Sequence, residues 1–281
     1  MIKVLTPGLY TTIQDLGRFG YQRYGVPYSG VMDRTAASFA NAILGNNTEL
    51  PVLEITMMGP KLQFSCQTSI CVSGADISPK LNNQPIFNNK VISIKSGDIF
   101  SFGRLNKGVR AYLAVLGGFK TKMVMQSCSM YQGITNQFKI HKHDLLDIST
   151  KHSLIKGSNA SIKVNDYYFN SKDIEVFEGP EFDKLDESQK KFLFSQEFTI
   201  SKDNNRMAYQ LNEVLGNNLK PIITSPVMPG TIQLTPSGKL IILMRDCQTT
   251  GGYPRVLQLK ESAISVLSQK HTGESIRFLK F

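Results

Sequence analysis

The sequence predicts a mostly β protein folded into two barrel-like lobes with a few short helices. Three observations carry this reading. Between residues 51 and 148, short β-forming runs recur between turn residues, at 52–57, 61–64, 69–73, 91–94, 99–103, 111–115 and 145–148; that spacing suits a closed or folded-over β body. Helical periodicity is confined to three brief stretches, so strands and helices do not alternate as parallel α/β units require. Finally, YLAVLGGF at 112–119 is echoed by IILMRDCQTTGGY at 241–253. In each an apolar strand delivers a Gly-Gly-aromatic, which points to two lobes, 1–170 and 171–281.

In chain order, a first strand at 2–5 is turned by Pro7 and Gly8 into a glycine-rich polar stretch, 8–33, that reads as a loop. Asp33 caps a helix running to about Leu44, where Ala36, Ala37, Ala40, Ile43 and Leu44 recur at helical spacing and Gly45 stops it. Asn82-Asn83 predicts a hairpin turn and Gly97-Asp98 a strand-entry turn. The polar stretch 149–171 separates the lobes. The second lobe opens with a strand at 174–177, followed by a helix at 186–193, an apolar strand at 240–244 expected to be buried on both faces, and a last helix at 261–268.

Composition bounds the function. Of 281 residues 41% are hydrophobic and 19% charged, and no apolar run approaches the length of a membrane span. The N-terminal segment lacks the pattern of a secretory signal, so a cytoplasmic protein is expected. Four cysteines, without a C-x-x-C pair, read as reduced thiols. The net charge of +10 comes from lysines spread singly, and the densest basic patch, 139–142, offers no stacking aromatic, which argues against nucleic acid. His141 and His143 lack a third ligand, so no metal is expected.

Two segments concentrate chemistry. In 8–33, five glycines accompany Thr11, Thr12, Gln14, Asp15 and Arg18, a set able to wrap a small polar ligand; a surface pair of Asp15 with Arg18 closing a turn is the alternative. In 225–259, the apolar strand runs into Arg245, Asp246, Gln248, Thr249, Thr250 and Gly251-Gly252, and polar groups at the end of a buried strand are held rigidly. Asp246 suits proton transfer or a cation, or is a buried carboxylate satisfied by turn amides. Gly251-Gly252 resembles a phosphate nest without the Lys-Ser/Thr of a P-loop. No G-x-S-x-G elbow or H-E-x-x-H helix is present, and Cys128 and Cys247 have no histidine near in sequence.

G-L-x-T-T-x-Q-D-x-G-R-x-G at 8–20, G-V-P-x-S-G-x-M-D at 25–33, P-G-T-I-Q at 229–233 and Q-T-T-G-G-Y-P at 248–254 together resemble the allophanate hydrolase subunit 2 family, also called the biotin-dependent carboxyltransferase family. The resemblance implies cyclophilin-like β-barrels and a companion chain of the allophanate hydrolase subunit 1 type, with a third subunit in the members that belong to ATP-dependent 5-oxoprolinase. It implies ATP as cosubstrate, bound by or shared with a partner, and a small carboxylate or amide substrate, 5-oxoproline being opened to glutamate. No attached biotin is implied, since Lys122-Met123 lacks the preceding methionine of an attachment site.

By the same resemblance the substrate pocket falls on Thr12, Gln14, Arg18, Tyr21, Ser29, Arg206, Gln233, Thr249, Thr250, Gly251 and Gly252, with Asp15 and Asp246 as the catalytic carboxylates. The chain departs from the family pattern at Cys128 and Cys247, which stand where arginines are usual, and at 137–144, where the usual G-R-x-L-x-x-G-D is degraded to QFKIHKHD. These losses also suit a non-enzymatic member that antagonises a histidine-kinase inhibitor, and a carboxyltransferase component of a urea carboxylase system is the third reading.

Overall fold

A computed structural model describes residues 1–149 and 167–281. The polar stretch read as the lobe divider lies mostly outside these described residues. The chain forms two compact units. One comprises Met1–Gly17 with Ser29–Asp166, the other Arg18–Tyr28 with Tyr167–Phe281.

The first unit is built on a six-stranded and a five-stranded sheet. The five-stranded sheet contains Tyr10–Gln14, Val52–Thr56, Lys107–Val115, Thr68–Asp76 and Ile92–Ile94 in that lateral order. Because side chains alternate along a strand, its two faces differ. Ile13, Leu53, Ile55, Ala111 and Leu113 share one core with Ile2, Leu62 and Phe64 of the other sheet. Val52, Cys71, Tyr112 and Ala114 pack instead with Ala36, Ala37, Ala40 and Leu44 of the helix Arg34–Ile43. Asp33 caps that helix by accepting from the Ala36 amide, and Gly45 follows it in the left-handed region, as the sequence predicts.

The polar stretch 8–33 is not wholly a loop. Tyr10–Gln14 is a strand paired with Val52–Thr56, and Thr11, Thr12, Ile13 and Gln14 are all buried. Its β-branched and aromatic residues favour extended backbone, and its polar alternate positions face a buried surface that is itself polar. The Asn82-Asn83 hairpin forms with both residues at positive φ, joining Lys80–Leu81 to Gln84–Pro85.

The second unit is a closed seven-stranded barrel. Its strands are antiparallel except where Asp173–Glu178 and Ser275–Lys280 pair in parallel to complete the ring. Alternate residues such as Ile174, Val176, Tyr209, Leu211, Ile232 and Leu234 are fully buried. Two of its strands, Phe198–Asn204 and Ala208–Val214, carry polar, charged sequence that hid them. The helices Glu187–Ser195 and Glu261–Ser268 form where the sequence places them, the first with an Asp186–Gln189 capping box. In the Lys239–Leu243 strand Leu240, Ile242 and Leu243 are buried but Ile241 is only partly so, because one face of a barrel strand is covered by a single small cluster with Val227 and Cys247. Among the described residues no helix is long and apolar enough to cross a membrane.

Candidate functional site

In the first unit the site residues gather on the polar face of the five-stranded sheet. Cross-strand register sets Thr12 opposite Glu54 and Glu54 opposite Tyr112, so the three stand in one row on one face. Gln14 lies two residues along from Thr12. Its Nε2 donates to Thr12 Oγ1 at 3.0 Å and to the Met130 carbonyl at 3.1 Å, while its Oε1 accepts from the Gly30 amide at 3.1 Å. Ser29 precedes that glycine with φ 55°, fully buried, and its hydroxyl has no hydrogen-bond partner among the described residues. Gly30 has φ 90°, and a Cβ there would lie 2.7 Å from the Leu16 carbonyl carbon; only glycine lets the two backbones approach so closely.

Asp15 organises a separate loop. Its Oδ1 accepts from the Gly17 amide at 2.8 Å, the Ser127 hydroxyl at 2.7 Å and the Ser129 hydroxyl at 2.6 Å, and its Oδ2 accepts from the Cys128 amide at 2.5 Å. These four donors fix 127–129 against the edge of the Tyr10–Gln14 strand, where the Met130 amide also donates to the Ile13 carbonyl. The loop is delivered by a turn at Met125 and Gln126, both at positive φ.

Sequence reasoning missed Glu54, Arg110 and Tyr112. Glu54 Oε2 accepts from the Met32 amide at 2.7 Å and from the Tyr112 hydroxyl at 2.9 Å, and Arg110 Nε lies 4.0 Å from Oε1. Burial pushes the Tyr112 phenol well above its ordinary value, and the charges of Glu54 and Asp33 push the same way. The available signal was a carboxylate in an otherwise apolar strand, VLEIT, which cannot be buried cheaply without partners.

In the second unit, Arg206 grips Asp246 through two parallel hydrogen bonds, Nε to Oδ2 at 2.7 Å and Nη2 to Oδ1 at 3.0 Å, both side chains being buried. The carboxylate is thus satisfied by a guanidinium. Gln233 is buried yet loosely held: Nε2 reaches the Tyr253 carbonyl at 3.5 Å and Oε1 receives Gln248 Nε2 at 3.4 Å. Gly251 packs on it, and a Cβ there would collide with Gln233 Nε2. Thr250–Gly251 pairs as a short strand with Ser225–Pro226, and neither Gly251 nor Gly252 takes a positive φ. Gly251 therefore serves close approach to Gln233, and the two glycines form no phosphate nest, which needs a left-handed turn. Thr249 is half-buried, Thr250 exposed, and the Thr249 carbonyl accepts from the Val227 amide.

Arg18 and Tyr21 lie on the 18–28 segment, closed by the Arg18 amide donating to the Tyr28 carbonyl and by Gln22 Nε2 donating to the Arg18 carbonyl. Arg18 is fully buried, so the surface-pair alternative fails. Cys247, at one of the positions expected to carry arginine, is buried against Val227 and Leu243, and burial raises its thiol to about 12. Arg245 beside it pairs with Glu261. Among the described residues no three or more His, Cys, Asp or Glu side chains are grouped to hold a metal.

The family model "Carboxyltransferase domain, subdomain A and B" matches residues 24–280. The C-type subunit of 5-oxoprolinase from Haemophilus influenzae is 30% identical over 286 residues, covering 99% of this chain and 90% of the relative. The crystal structure of Kluyveromyces lactis urea carboxylase superposes with a TM-score of 0.86 at 28% identity, over 99% of this chain and 27% of that one. The structure titled TTHA0988 superposes at 0.87 with 24% identity, over 99% of this chain and 55% of that one, and shares the fold. The chain thus spans most of the 5-oxoprolinase subunit but about half or less of these two solved chains. A family match over nearly the whole length, on the fold and polar clusters described above, establishes that this chain belongs to the carboxyltransferase family built from subdomains A and B.

Proposed function

We propose that this chain is the C-type subunit of a cytoplasmic ATP-dependent 5-oxoprolinase, working with a subunit 1-type (B-like) partner and an A-type subunit to open the cyclic amide of 5-oxoproline to glutamate. The observation that carries the reading is the similarity to a C-type 5-oxoprolinase subunit across 99% of this chain and 90% of the relative. The local chemistry supports it. Gln233 and Gln248 offer carboxamides whose mutual hydrogen bond is long at 3.4 Å, and a carboxamide can both donate to and accept from a cyclic amide.

In this reading each unit offers its own candidate polar contacts, Thr12, Gln14 and Ser29 in the first and Arg206, Gln233, Thr249 and Thr250 in the second. Arg18 and Tyr21 contribute from the 18–28 segment, with Gly251 and Gly252 giving close backbone access. Asp15 holds the 127–129 backbone and hydroxyls ready, and Asp246 orients Arg206; both carboxylates act by placing donors. ATP, the cosubstrate that the family resemblance implies, is in this reading held by or shared with a partner subunit.

The test is glutamate and ADP formation from 5-oxoproline and ATP by this chain with its partner subunits, each omitted in turn. Turnover that requires this chain is expected. A stable complex without turnover overturns the reading. The alternative is then carboxyl transfer, which the superposition on urea carboxylase favours and which is assayed as urea-dependent loss of carboxybiotin.

A further inference from the structure

Residues 30–33 run across the polar face of the five-stranded sheet, and every amide of the run is donated to that sheet. Gly30 donates to Gln14 Oε1 at 3.1 Å, Val31 to the Asp15 carbonyl at 2.8 Å, Met32 to Glu54 Oε2 at 2.7 Å, and Asp33 to the Tyr112 hydroxyl at 2.8 Å. Glu54 and Tyr112 face each other in register, and both are buried. Apolar packing accounts for the Tyr112 ring, which lies with Val52, Cys71 and Ala114 under the helix, but calls for neither its hydroxyl nor the Glu54 carboxylate.

The proton order of this chain is dictated by its donors. The Asp33 amide can only donate, so the Tyr112 oxygen accepts and turns its own proton to Glu54 Oε2. The high pKa of the buried phenol keeps that proton in place. Upstream stands Ser29, a non-glycine residue at φ 55°, a strained conformation that persists only when its surroundings enforce it.

We propose that Glu54 and Tyr112 are positioning residues: through the Met32 and Asp33 amides they hold Ser29 in its left-handed conformation and present its hydroxyl, which has no hydrogen-bond partner among the described residues, to the substrate. The inference rests on the reading of Ser29 as a substrate contact. Neither Glu54 nor Tyr112 touches substrate in it.

The test uses the full chain. In Tyr112→Phe, hydrogen exchange across residues 28–34 should quicken about fivefold or more, the effect of one lost hydrogen bond. The Ser29 Cβ resonance should move, and kcat of the assembled enzyme should fall by about tenfold to a hundredfold with KM little changed. Glu54→Gln, which keeps an acceptor oxygen for Met32, should restore most of what Glu54→Ala loses. If Glu54→Ala does not fold, Tyr112→Phe alone decides. Wild-type exchange and an unmoved Ser29 resonance overturn the inference, as does quickened exchange with wild-type kcat and KM. Absence of turnover in the wild-type assembly sinks the 5-oxoprolinase reading instead, and exchange with the Ser29 resonance then decides whether Glu54 and Tyr112 set this backbone.

Discussion

Arg206 and Asp246 hold each other inside the second unit through two hydrogen bonds, so neither can be removed cheaply. Arg206→Ala strands a buried carboxylate and should cost about 3 kcal/mol or more in urea unfolding. Asp246→Asn keeps the shape but loses the charge-assisted pairing, and the double variant should cost less than the sum of the two. Strict additivity in that cycle would show that the pair is not coupled. Asp246 was legible in the sequence as a polar group beyond an apolar strand. That Arg206 pairs with it was not, because 40 residues separate them and only the pairing of Ala208–Val214 with Lys239–Leu243 brings the two together. Cys247 shows the reverse: its sequence position suggested a lost clamp, and its surroundings reveal an apolar site in which a thiol packs well.

Elements whose signals are local were readable. The Asp33 cap, the Asn82-Asn83 turn, the helix that starts at Asp186 and the helix Glu261–Ser268 each depend on a few neighbouring residues. Tyr10–Gln14 was not, because its polar alternation matches a polar face formed by Glu54 and Tyr112, 42 residues or more further along the chain. Another long-range tie joins the 182–184 turn to the barrel. Arg255 donates from Nε and Nη2, and from its amide, to the Glu181 carboxylate. Those bonds hold Glu181 below its ordinary value. A carboxylate depressed in the folded state stabilises it fully above its unfolded pKa, about 4.3, and loses that contribution as pH falls through the lower folded value. The stability gap between the wild type and Glu181→Gln should therefore be widest near neutrality and close in acid, read from urea midpoints at a series of pH values. A gap independent of pH would assign the tie to packing.

At the scale of the whole molecule, the four thiols report the fold. Cys66 and Cys128 are half-buried, whereas Cys71 and Cys247 are buried and raised to about 12 by burial. Native protein should give two fast thiols with a disulfide reagent at pH 8, the other two reacting only after unfolding, and a rise to pH 9.5 should not recruit them because thiolate is the reacting form. Four fast thiols would contradict the packing of both units. The mostly β class was legible because strand spacing is a property of the entire chain. The assignment of residues 18–28 to the unit otherwise formed by residues 167–281 was not, since no local pattern tells a segment which distant body it joins.

The parallel pairing of Asp173–Glu178 with Ser275–Lys280 has a mechanical consequence. Tension applied across residues 173 and 280 pulls these neighbours in opposite directions along their length. The hydrogen bonds between them, evenly spaced in a parallel pair, are then loaded together in shear. They cannot be peeled one at a time, so the barrel resists stretching at its seam as a unit and yields there in a single event.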